Sequence, residues 1–422
     1  MCAALLPRLA VLLYERGDVT AAYVDKGDDL ARTFLASGSY GFIPGRPSAY
    51  TQPLYGFFLV PLYWIFHRSW LTVGLAQIAV AVATALLVYE VGRRFVSARA
   101  GVVAALVATV HPYLLWHDVH MNREILDQLL AAAMVLLALA LAERPALPLA
   151  AALGGVVGLG VLGNVRLVLL PVLFGGFVVA CAGRRALLPA VAVLAAAAVV
   201  IAPWVVRNRL DVGCLTLTTD GRALWKANNP ATLRTLESGR WIDAVPRIPG
   251  APPTPQDAGA IYRRTRRVVA TDECAQMRFY RHRALAFMRD HPLEKAKLAG
   301  VAARMLWQPS VTRTEGRPEA GTFVDTARSW LEPAYMVVLY ALGALGIVLL
   351  PRRLAALAVL MLGYDTLTAM LFAGETRYRV PWDFLIALSA TVAAIELVRR
   401  LTVRRDRLTS RRALHEPRRA SR

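Results

Sequence analysis

Charged residues are scarce in this chain of 422 residues, and acidic residues are fewer than basic ones. Charged side chains make up 18% of the sequence, whereas roughly a quarter of the residues of a soluble domain are charged. Hydrophobic residues make up 56%, and the mean hydropathy is +0.44. This balance excludes an ordinary soluble domain. It predicts an all-α polytopic membrane protein with about ten transmembrane helices and extracytoplasmic loop helices.

Cysteine is also rare, and the familiar signatures of soluble enzymes are missing. The four cysteines are too few for a disulfide scaffold, and no pair has the CxxC spacing of a metal site. Cys214 and Cys274 fall in one polar segment, where they either form a single bridge in an oxidising compartment or stay unpaired. No P-loop, GxSxG, HExxH or GxGxxG motif occurs in its required context, which argues against a nucleotide enzyme of soluble type.

The chain does contain long apolar runs. A shorter run at residues 3–14 is interrupted by Pro7 and Arg8 and lacks a signal-peptide cleavage site, so it indicates a shallow first helix or a true start upstream of Met1. With this run, ten spans are predicted, the others at roughly 70–92, 98–116, 124–142, 146–163, 167–183, 186–206, 332–350, 354–373 and 381–398.

Arginines predict how these spans are oriented. The formal net charge of +20 does not predict a nucleic-acid partner, because much of it lies in short turns and in the C-terminal tail, which the positive-inside rule places in the cytoplasm. We therefore expect a protein of the plasma or inner membrane with its active site outside. The predicted parts are an N-terminal transmembrane module, 1–206, with an acidic first outer loop at about 15–68; a large extracytoplasmic loop domain, 207–330; C-terminal transmembrane helices, 331–398; and a basic, disordered cytoplasmic tail, 399–422.

Residues 257–307 of the large loop show helical periodicity with many arginines. An amphipathic, arginine-rich helix next to a bilayer is typical of the membrane interface. This pattern favours a surface helix over one packed wholly within the loop domain.

Two groups of carboxylates fall in the predicted outer loops. Asp25, Asp28 and Asp29 precede the second predicted span, and Glu124 begins a later one. Carboxylates just outside a bundle of spans are candidates for a proton acceptor or a metal ligand. The alternatives are a solvated loop with a capping aspartate for the cluster, and a first-turn carboxylate favoured by the helix dipole for Glu124.

A divalent metal is a second interpretation of this region. His117, Asp118 and His120 make the turn before Glu124 unusually polar, and together with Asp25 they provide metal-ligating groups. Their spacing matches no specific metal motif. The sequence therefore leaves metal dependence open and predicts no certain cofactor.

Basic residues at the outer ends of spans form a third group. Positive charge is unexpected in short outer turns, and the planar guanidinium fork suits bidentate phosphate contacts. Snorkelling at the interface is the alternative. The residues concerned are Arg166, Arg207, Lys226, Arg377 and Arg379.

Short motifs in order along nearly the whole chain resemble the membrane glycosyltransferases of the GT-C superfamily. The chain is most similar to the dolichyl-phosphate-mannose protein mannosyltransferase and aminoarabinose transferase group, glycosyltransferase family 39. The motifs are Asp25 with Leu30-Ala31 and Ala36-Ser37-Gly38, Gln52-Pro53-Leu54-Tyr55, His111-Pro112, Arg123-Glu124, Ala202-Pro203-Trp204 with Arg207-Asn208, Gly221 with Asn228-Asn229-Pro230, and Arg377-Tyr378-Arg379-Val380-Pro381.

This resemblance implies an inverting transfer of a sugar from a polyprenyl-phosphate donor to a lipid, glycan or protein acceptor outside the membrane. It implies that Asp25 is the general base and that Glu124 is a second acid of the site. Arg377 and Arg379 are the first choice for the donor phosphate, and Arg207 and Lys226 the second. The expected site neighbours are Asp28, Asp29, Tyr378 and His120. Relatives commonly carry tyrosine where this chain has Asp29, which leaves open which aspartate is the base.

Two other functions fit a chain with many spans. A transporter or lipid flippase also needs cationic contacts to lipid phosphates, and Asp365 within a predicted span favours it. Transporters more often show repeat symmetry and midplane charges, whereas the charges here lie at the outer rim. A membrane scaffold is the third interpretation, but it gives Asp25, Glu124 and the paired arginines no common purpose.

Overall fold

The computed structural model describes residues 1–22, 24–309 and 323–415. The regular structure of these ranges is helical, without a β-strand, so the all-α prediction is confirmed. Tyr23 of the acidic cluster, residues 310–322 of the predicted loop domain and residues 416–422 of the predicted tail lie outside the described residues.

The helices before the large loop follow the apolar runs, with breaks where proline or a polar cap intervenes. The run predicted at 98–116 is two helices, because Pro112 lacks an N–H and restricts the residue before it to non-helical backbone. His111 fills that position, and its Nδ1 accepts a hydrogen bond from the Tyr113 N–H. These helices are α1 Cys2–Glu15, α2 Lys26–Ser37, α3 Leu54–Phe66, α4 Trp70–Phe95, α5 Ala98–Thr109, α6 Pro112–His117, α7 Glu124–Glu143, α8 Leu147–Gly163, α9 Leu170–Ala182 and α10 Leu187–Asp211.

The rest of the chain forms short loop helices followed by long apolar ones. The loop helices are α11 Gly221–Ala227, α12 Thr232–Glu237, α13 Pro255–Thr265, α14 Glu273–Asp290 and α15 Pro292–Leu306. The later helices are α16 Phe323–Gly346, α17 Arg352–Leu371, α18 Thr376–Arg379 and α19 Asp383–His415. Helix α19 therefore continues past residue 399, where the tail was predicted to begin.

Four helical stretches of the described ranges are long and apolar enough to cross a membrane: Trp70–Phe95, Glu124–Glu143, Val165–Asp211 and Arg352–Leu371. Other apolar helices, such as α3, α5 and α8, are shorter. The chain is thus an integral membrane protein, but the predicted count of ten spans is not confirmed. Part of the difference arises because Val165–Asp211 covers two predicted spans, 167–183 and 186–206, and because the run predicted at 98–116 is interrupted before Pro112.

The membrane helices pack around one large apolar core formed mainly by α4, α7, α8, α9, α10, α17 and α19. Gly154 and Gly158 on α8 face α10, where a side chain at either position would collide with α10. Small residues of this kind let helix backbones approach closely. The close packing fixes the ends of these helices relative to one another, and the candidate site lies at those ends.

The loop domain contacts the membrane helices through α15, and it is cross-linked near its start. A disulfide between Cys214 and Cys274 joins the segment after α10 to the start of α14. Helix α15 packs against α17, while Trp225 of α11 packs against Tyr280 of α14 inside the loop domain. Of the two alternatives for Cys214 and Cys274, the structure therefore contains the bridge. The predicted interfacial role of the arginine-rich helices stays a prediction.

Candidate active site

A cavity of about 460 Å³ opens where the acidic first loop, the start of α7, the segment after α17 and the loop domain meet. Its walls carry charges of both signs, together with aromatic rings. The charged and aromatic residues of its lining include Asp25, Lys26, Arg123, Glu124, Arg166, Lys226, Trp241, Asp243, Phe372, Arg377 and Tyr378. Thus Asp25, Glu124, Lys226, Arg377 and Tyr378, all predicted from the sequence, share one cavity.

Asp25 is fixed in place by the start of helix α2. Its carboxylate Oδ1 caps the helix by accepting a hydrogen bond from the Gly27 N–H at 2.7 Å, and its own N–H donates to the Met121 carbonyl at 2.9 Å. Glycine at position 27 leaves room for this arrangement, since a Cβ there would lie 3.1 Å from the Asp25 carboxylate and 3.0 Å from Tyr55. The sequence left open whether an aspartate of this cluster caps a helix or has a function. Asp25 caps α2 and also lines the cavity.

The surroundings of Asp25 change its acidity. Burial raises the pKa of Asp25 above its ordinary value, the Arg123 guanidinium opposes this rise, and the nearby Glu124 carboxylate adds to it. A carboxylate whose pKa is raised is a stronger proton acceptor once it is ionised.

Glu124 is buried at the first turn of α7, next to Arg123. Its N–H donates to Asn122 Oδ1 at 2.8 Å, and its Oε1 lies 3.9 Å from Arg123 Nε. Arg123 Nη1 donates to Gln52 Oε1 at 2.7 Å. Arg123 thus places one positive charge near both carboxylates of the site. It was not predicted as a site residue, although it precedes Glu124 directly.

Two cationic side chains, Arg377 and Lys226, also line the cavity. Arg377 Nε pairs with Glu375 Oε2 at 2.6 Å, and its Nη2 donates to Tyr378 Oη at 3.0 Å. Lys226 Nζ lies 2.5 Å from Asp243 Oδ1. About a third of the Arg377 side chain remains exposed.

Arg166 is a further cation that sequence reasoning singled out only as one of several basic turn residues. Its guanidinium carbon lies 3.5 Å from the centre of the Tyr378 ring and 5.7 Å from that of Phe372. Its Nη2 donates to the Ala373 carbonyl at 3.1 Å, while its buried Nη1 has no hydrogen-bond partner among the described residues. The stacking depends on long-range packing, which the sequence does not reveal.

Asp28 and Asp29 are not among the residues that line the cavity. Asp28 is buried and accepts hydrogen bonds from Tyr63 Oη at 2.6 Å and from Arg68 Nε at 2.8 Å. Asp29 pairs with Arg263 of α13 at 2.9 Å. Of the three aspartates, the structure brings Asp25 to the cavity.

Arg379, Arg207 and His120 also lie away from the cavity lining. Arg379 is fully buried and makes a two-pronged ion pair with Asp383, at 2.8 and 3.2 Å. Arg207 donates to the Ser48 and Tyr40 carbonyls at 2.9 and 3.0 Å. The buried His120 ring stacks on Trp116 with 3.8 Å between ring centres. These contacts give the three side chains structural partners.

The side chains considered as metal ligands, His117, Asp118, His120 and Asp25, do not form a metal-binding cluster. Asp118 is buried and paired with Arg8 of α1 at 2.7 Å, and His117 is hydrogen-bonded to Asn122. Among the residues that the structure describes, no group of three or more His, Cys, Asp or Glu side chains has a metal-binding arrangement.

A family model described as dolichyl-phosphate-mannose-protein mannosyltransferase matches residues 47–206, which is fewer than half of the chain. The match includes Arg123 and Glu124 but ends before the large loop. No curated protein sequence matches the chain.

Solved structures of membrane transferases share the architecture. The apo oligosaccharyltransferase of Archaeoglobus fulgidus is 13% identical, with a TM-score of 0.52 over 97% of this chain and 51% of that one. AglB of the same organism, in complex with an inhibitory peptide and a dolichol-phosphate, is 14% identical, with a TM-score of 0.50 over 98% and 52%. Apo ArnT of Cupriavidus metallidurans is 16% identical, with a TM-score of 0.39 over 87% and 72%.

The chain spans about half the length of these oligosaccharyltransferases. At such low identity, the likeness establishes the fold. The family match and this shared fold together confirm that the chain resembles the membrane glycosyltransferases of the GT-C superfamily.

Proposed function

We propose that this protein is a membrane glycosyltransferase that moves a sugar from a polyprenyl-phosphate donor to an acceptor hydroxyl or amine at the extracytoplasmic face. The observation that carries the proposal is that one cavity is lined both by the carboxylates of Asp25 and Glu124 and by the guanidinium groups of Arg377 and Arg166. Such a site provides a proton acceptor for the nucleophile and cations for the leaving phosphate.

The proposed step is a single displacement. The acceptor oxygen or nitrogen attacks the anomeric carbon, and the bond between that carbon and the phosphate oxygen breaks. The proton of the acceptor passes to Asp25, and the bonding electrons leave with the polyprenyl phosphate. Because attack occurs opposite the leaving group, the configuration at the anomeric carbon inverts.

The cations stabilise the negative charge that develops on the phosphate. Arg377 offers a partly exposed guanidinium, and Arg166 has a buried nitrogen without a partner in the described chain. Preorganised donors of this kind contribute most when they face charge that grows in the transition state. Arg379 and Arg207 are given no part in this step, because neither side chain lines the cavity.

Two further observations support the donor class and the side of the membrane. The structurally similar AglB has been solved with a dolichol-phosphate, which is a polyprenyl-type phosphate. The Cys214–Cys274 disulfide favours an oxidising compartment for the loop domain, and thus a cytoplasmic C-terminus.

The direct test is sugar transfer in membranes supplied with radiolabelled polyprenyl-phosphate sugars. Asp25→Asn keeps the size of the side chain but removes the base, so we expect transfer to fall by about 100-fold or more. Asp29→Asn is the matched control, since it changes the same charge outside the cavity, and it should keep near-normal transfer. Equal transfer by wild type and Asp25→Asn would sink the proposed role of Asp25.

The alternative of a transporter or lipid flippase retains one supporting observation. Asp365 is buried within α17, and its Oδ2 has no hydrogen-bond partner among the described residues. The same membranes distinguish the two functions. Movement of labelled lipid across the bilayer, without formation of a glycosylated product for any donor, would favour the flippase.

A further inference from the structure

Among the described residues, three aromatic side chains other than histidine line the cavity, and Arg166 covers one of them, Tyr378. The Arg166 guanidinium lies against Tyr378 and near Phe372. Trp241 is the third aromatic residue, and the Arg377 guanidinium carbon is 5.9 Å from its ring centre. This distance is at the limit of a cation–π contact. No protein cation therefore covers the Trp241 ring in the way that Arg166 covers Tyr378 among the described residues.

Trp241 is held between the loop-domain core and the cavity. It comes directly before the 3-10 turn Ile242–Ala244 and packs against the apolar cluster that includes Trp225 and Tyr280. It is partly buried by this packing, yet it also lines the cavity. A large ring supported in this way offers a flat apolar surface at low entropic cost.

The position of Trp241 relative to Arg377 matters for a sugar that is attached to a phosphate. A phosphate that contacts the Arg377 guanidinium has its sugar only two bonds away. With 5.9 Å between that guanidinium and the Trp241 ring centre, the sugar lies within contact distance of the indole. The C–H face of a sugar ring is apolar and stacks on aromatic rings.

An ion pair beside Trp241 provides polar contacts. Asp243, two residues later, pairs with Lys226, and both line the cavity. Burial opposes ionisation of Asp243, but the Lys226 ammonium outweighs it and holds the pKa of Asp243 below its usual range. The carboxylate therefore accepts hydrogen bonds at neutral pH, while the ammonium donates them. A pair without net charge suits the hydroxyls of an uncharged sugar.

We infer that Trp241 is the platform for the donor's sugar ring, that Lys226 and Asp243 contact its hydroxyls, and that the preferred sugar is uncharged. This inference rests on the proposed function. Under this inference Lys226 contacts the sugar hydroxyls, whereas the sequence made it a second choice for the donor phosphate.

The test compares two lipids as ligands of the purified full-length protein in nanodiscs: polyprenyl phosphate, and the same lipid carrying a neutral hexose. Wild type should bind the glycosylated lipid more tightly. Trp241→Ala should weaken binding of the glycosylated lipid by about tenfold, the scale of one aromatic contact, and leave binding of the bare phosphate within about twofold. Trp241→Phe should keep part of the preference. Trp64→Ala changes an exposed tryptophan of α3 and is the matched control.

The outcomes separate this inference from the proposed function. If wild type binds neither lipid, both the proposed function and the Trp241 platform fail. If wild type binds both lipids equally, or if Trp241→Ala keeps the full preference for the sugar, the platform is wrong while a lipid-phosphate site stands. Bare-phosphate binding by Trp241→Ala also reports that the variant is folded.

Discussion

Neighbouring aspartates at the start of α2 have different partners. Asp25 caps α2 and lines the cavity, whereas Asp28 is hydrogen-bonded to Tyr63 and ion-paired with Arg68. The sequence places them three residues apart and gives no means of separating a base from a buried structural carboxylate. The partners of Asp28 come from the end of α3 and the turn after it, so only the folded chain distinguishes them.

Replacement of Asp28 should affect stability. Asp28→Asn removes the charge that pairs with the partly exposed Arg68, so we expect the folded state to lose about 1–3 kcal/mol. A lower thermal unfolding midpoint of the purified protein would show it. Asp29→Asn, which touches a more exposed pair with Arg263, serves as the control and should unfold near the wild-type temperature. Equal midpoints for the two variants would contradict the structural role.

The acidity of Asp25 should appear in the pH dependence of transfer. A carboxylic acid accepts a proton only when it is ionised, so kcat/KM should rise with pH through the raised pKa of Asp25. Arg123→Gln removes the main cation that lowers this pKa, and the rising limb should move to higher pH. Arg240→Gln, an exposed loop-domain change, should leave the profile in place. If the rising limb of the kcat/KM profile lies at the same pH in Arg123→Gln as in wild type, Asp25 is not the titrating group.

Arg377 and Arg379 show that the sequence identified the turn that lines the cavity but did not distinguish the two arginines in it. Both were first choices for the phosphate, because both follow the same outer turn. On the short helix α18, residues two apart point in different directions, so Arg377 lines the cavity while Arg379 enters the bundle. The i,i+4 spacing of Arg379 and Asp383 was a local signal for the buried pair. Arg166 had no comparable signal.

The segment after α17, residues 372–378, connects a membrane helix to the cavity. Lys295 of α15 holds its start: the Nζ donates to the Met370 and Leu371 carbonyls at 2.7 and 3.0 Å and to Asn228 Oδ1 at 2.6 Å. Burial lowers the pKa of Lys295 to about 8, so the ammonium still carries its proton at pH 7. A cation at a helix C-terminus satisfies carbonyls that have no helical partner.

Loss of this cap should loosen the segment that carries Arg377. Lys295→Met removes all three hydrogen bonds, and of the two carbonyls at the end of α17 only that of Leu371 keeps a partner among the described residues, the Asn228 amide. We therefore expect the KM for the donor to rise several-fold. Lys297→Met, on an exposed position of the same helix, is the matched control. Lys295→Arg should restore part of the loss, since it keeps the charge and the donors. An unchanged KM in Lys295→Met would show that the cap does not position the segment.

Helix positions were largely predictable because apolar runs are long and continuous. The run at 70–92 corresponds to α4 at Trp70–Phe95, and the run at 124–142 to α7 at Glu124–Glu143. The break at His111 and Pro112 was not predicted, since hydropathy stays high across it. The contacts of α11 and α15 with other elements depend on side chains far apart in the sequence, and no periodicity encodes them.

Helix α15 joins the loop domain to α17, and the Cys214–Cys274 disulfide ties the segment after α10 to α14 within that domain. The bridge closes a segment with 60 residues of separation, and cross-links of this kind typically contribute about 2–4 kcal/mol. The double variant Cys214→Ser/Cys274→Ser should therefore lower the thermal unfolding midpoint. Cys2→Ser/Cys181→Ser, which changes the free cysteines, should not. Mass spectrometry after alkylation without reductant should find two modified thiols, and four would contradict the bridge.

Helix α2 joins the proposed proton acceptor, Asp25, to the loop domain within one turn. Asp25 begins this turn at the cavity, and Asp29 at its end is paired with Arg263 of α13. Asp25 and Asp29 are about 6 Å apart along the helix axis, so a movement of α13 that keeps the Asp29–Arg263 pair intact would also move Asp25. Under the proposed function, an acceptor that displaces α13 in this way would misalign the base. Discrimination between acceptors then appears in the rate of the chemical step more than in the strength of binding.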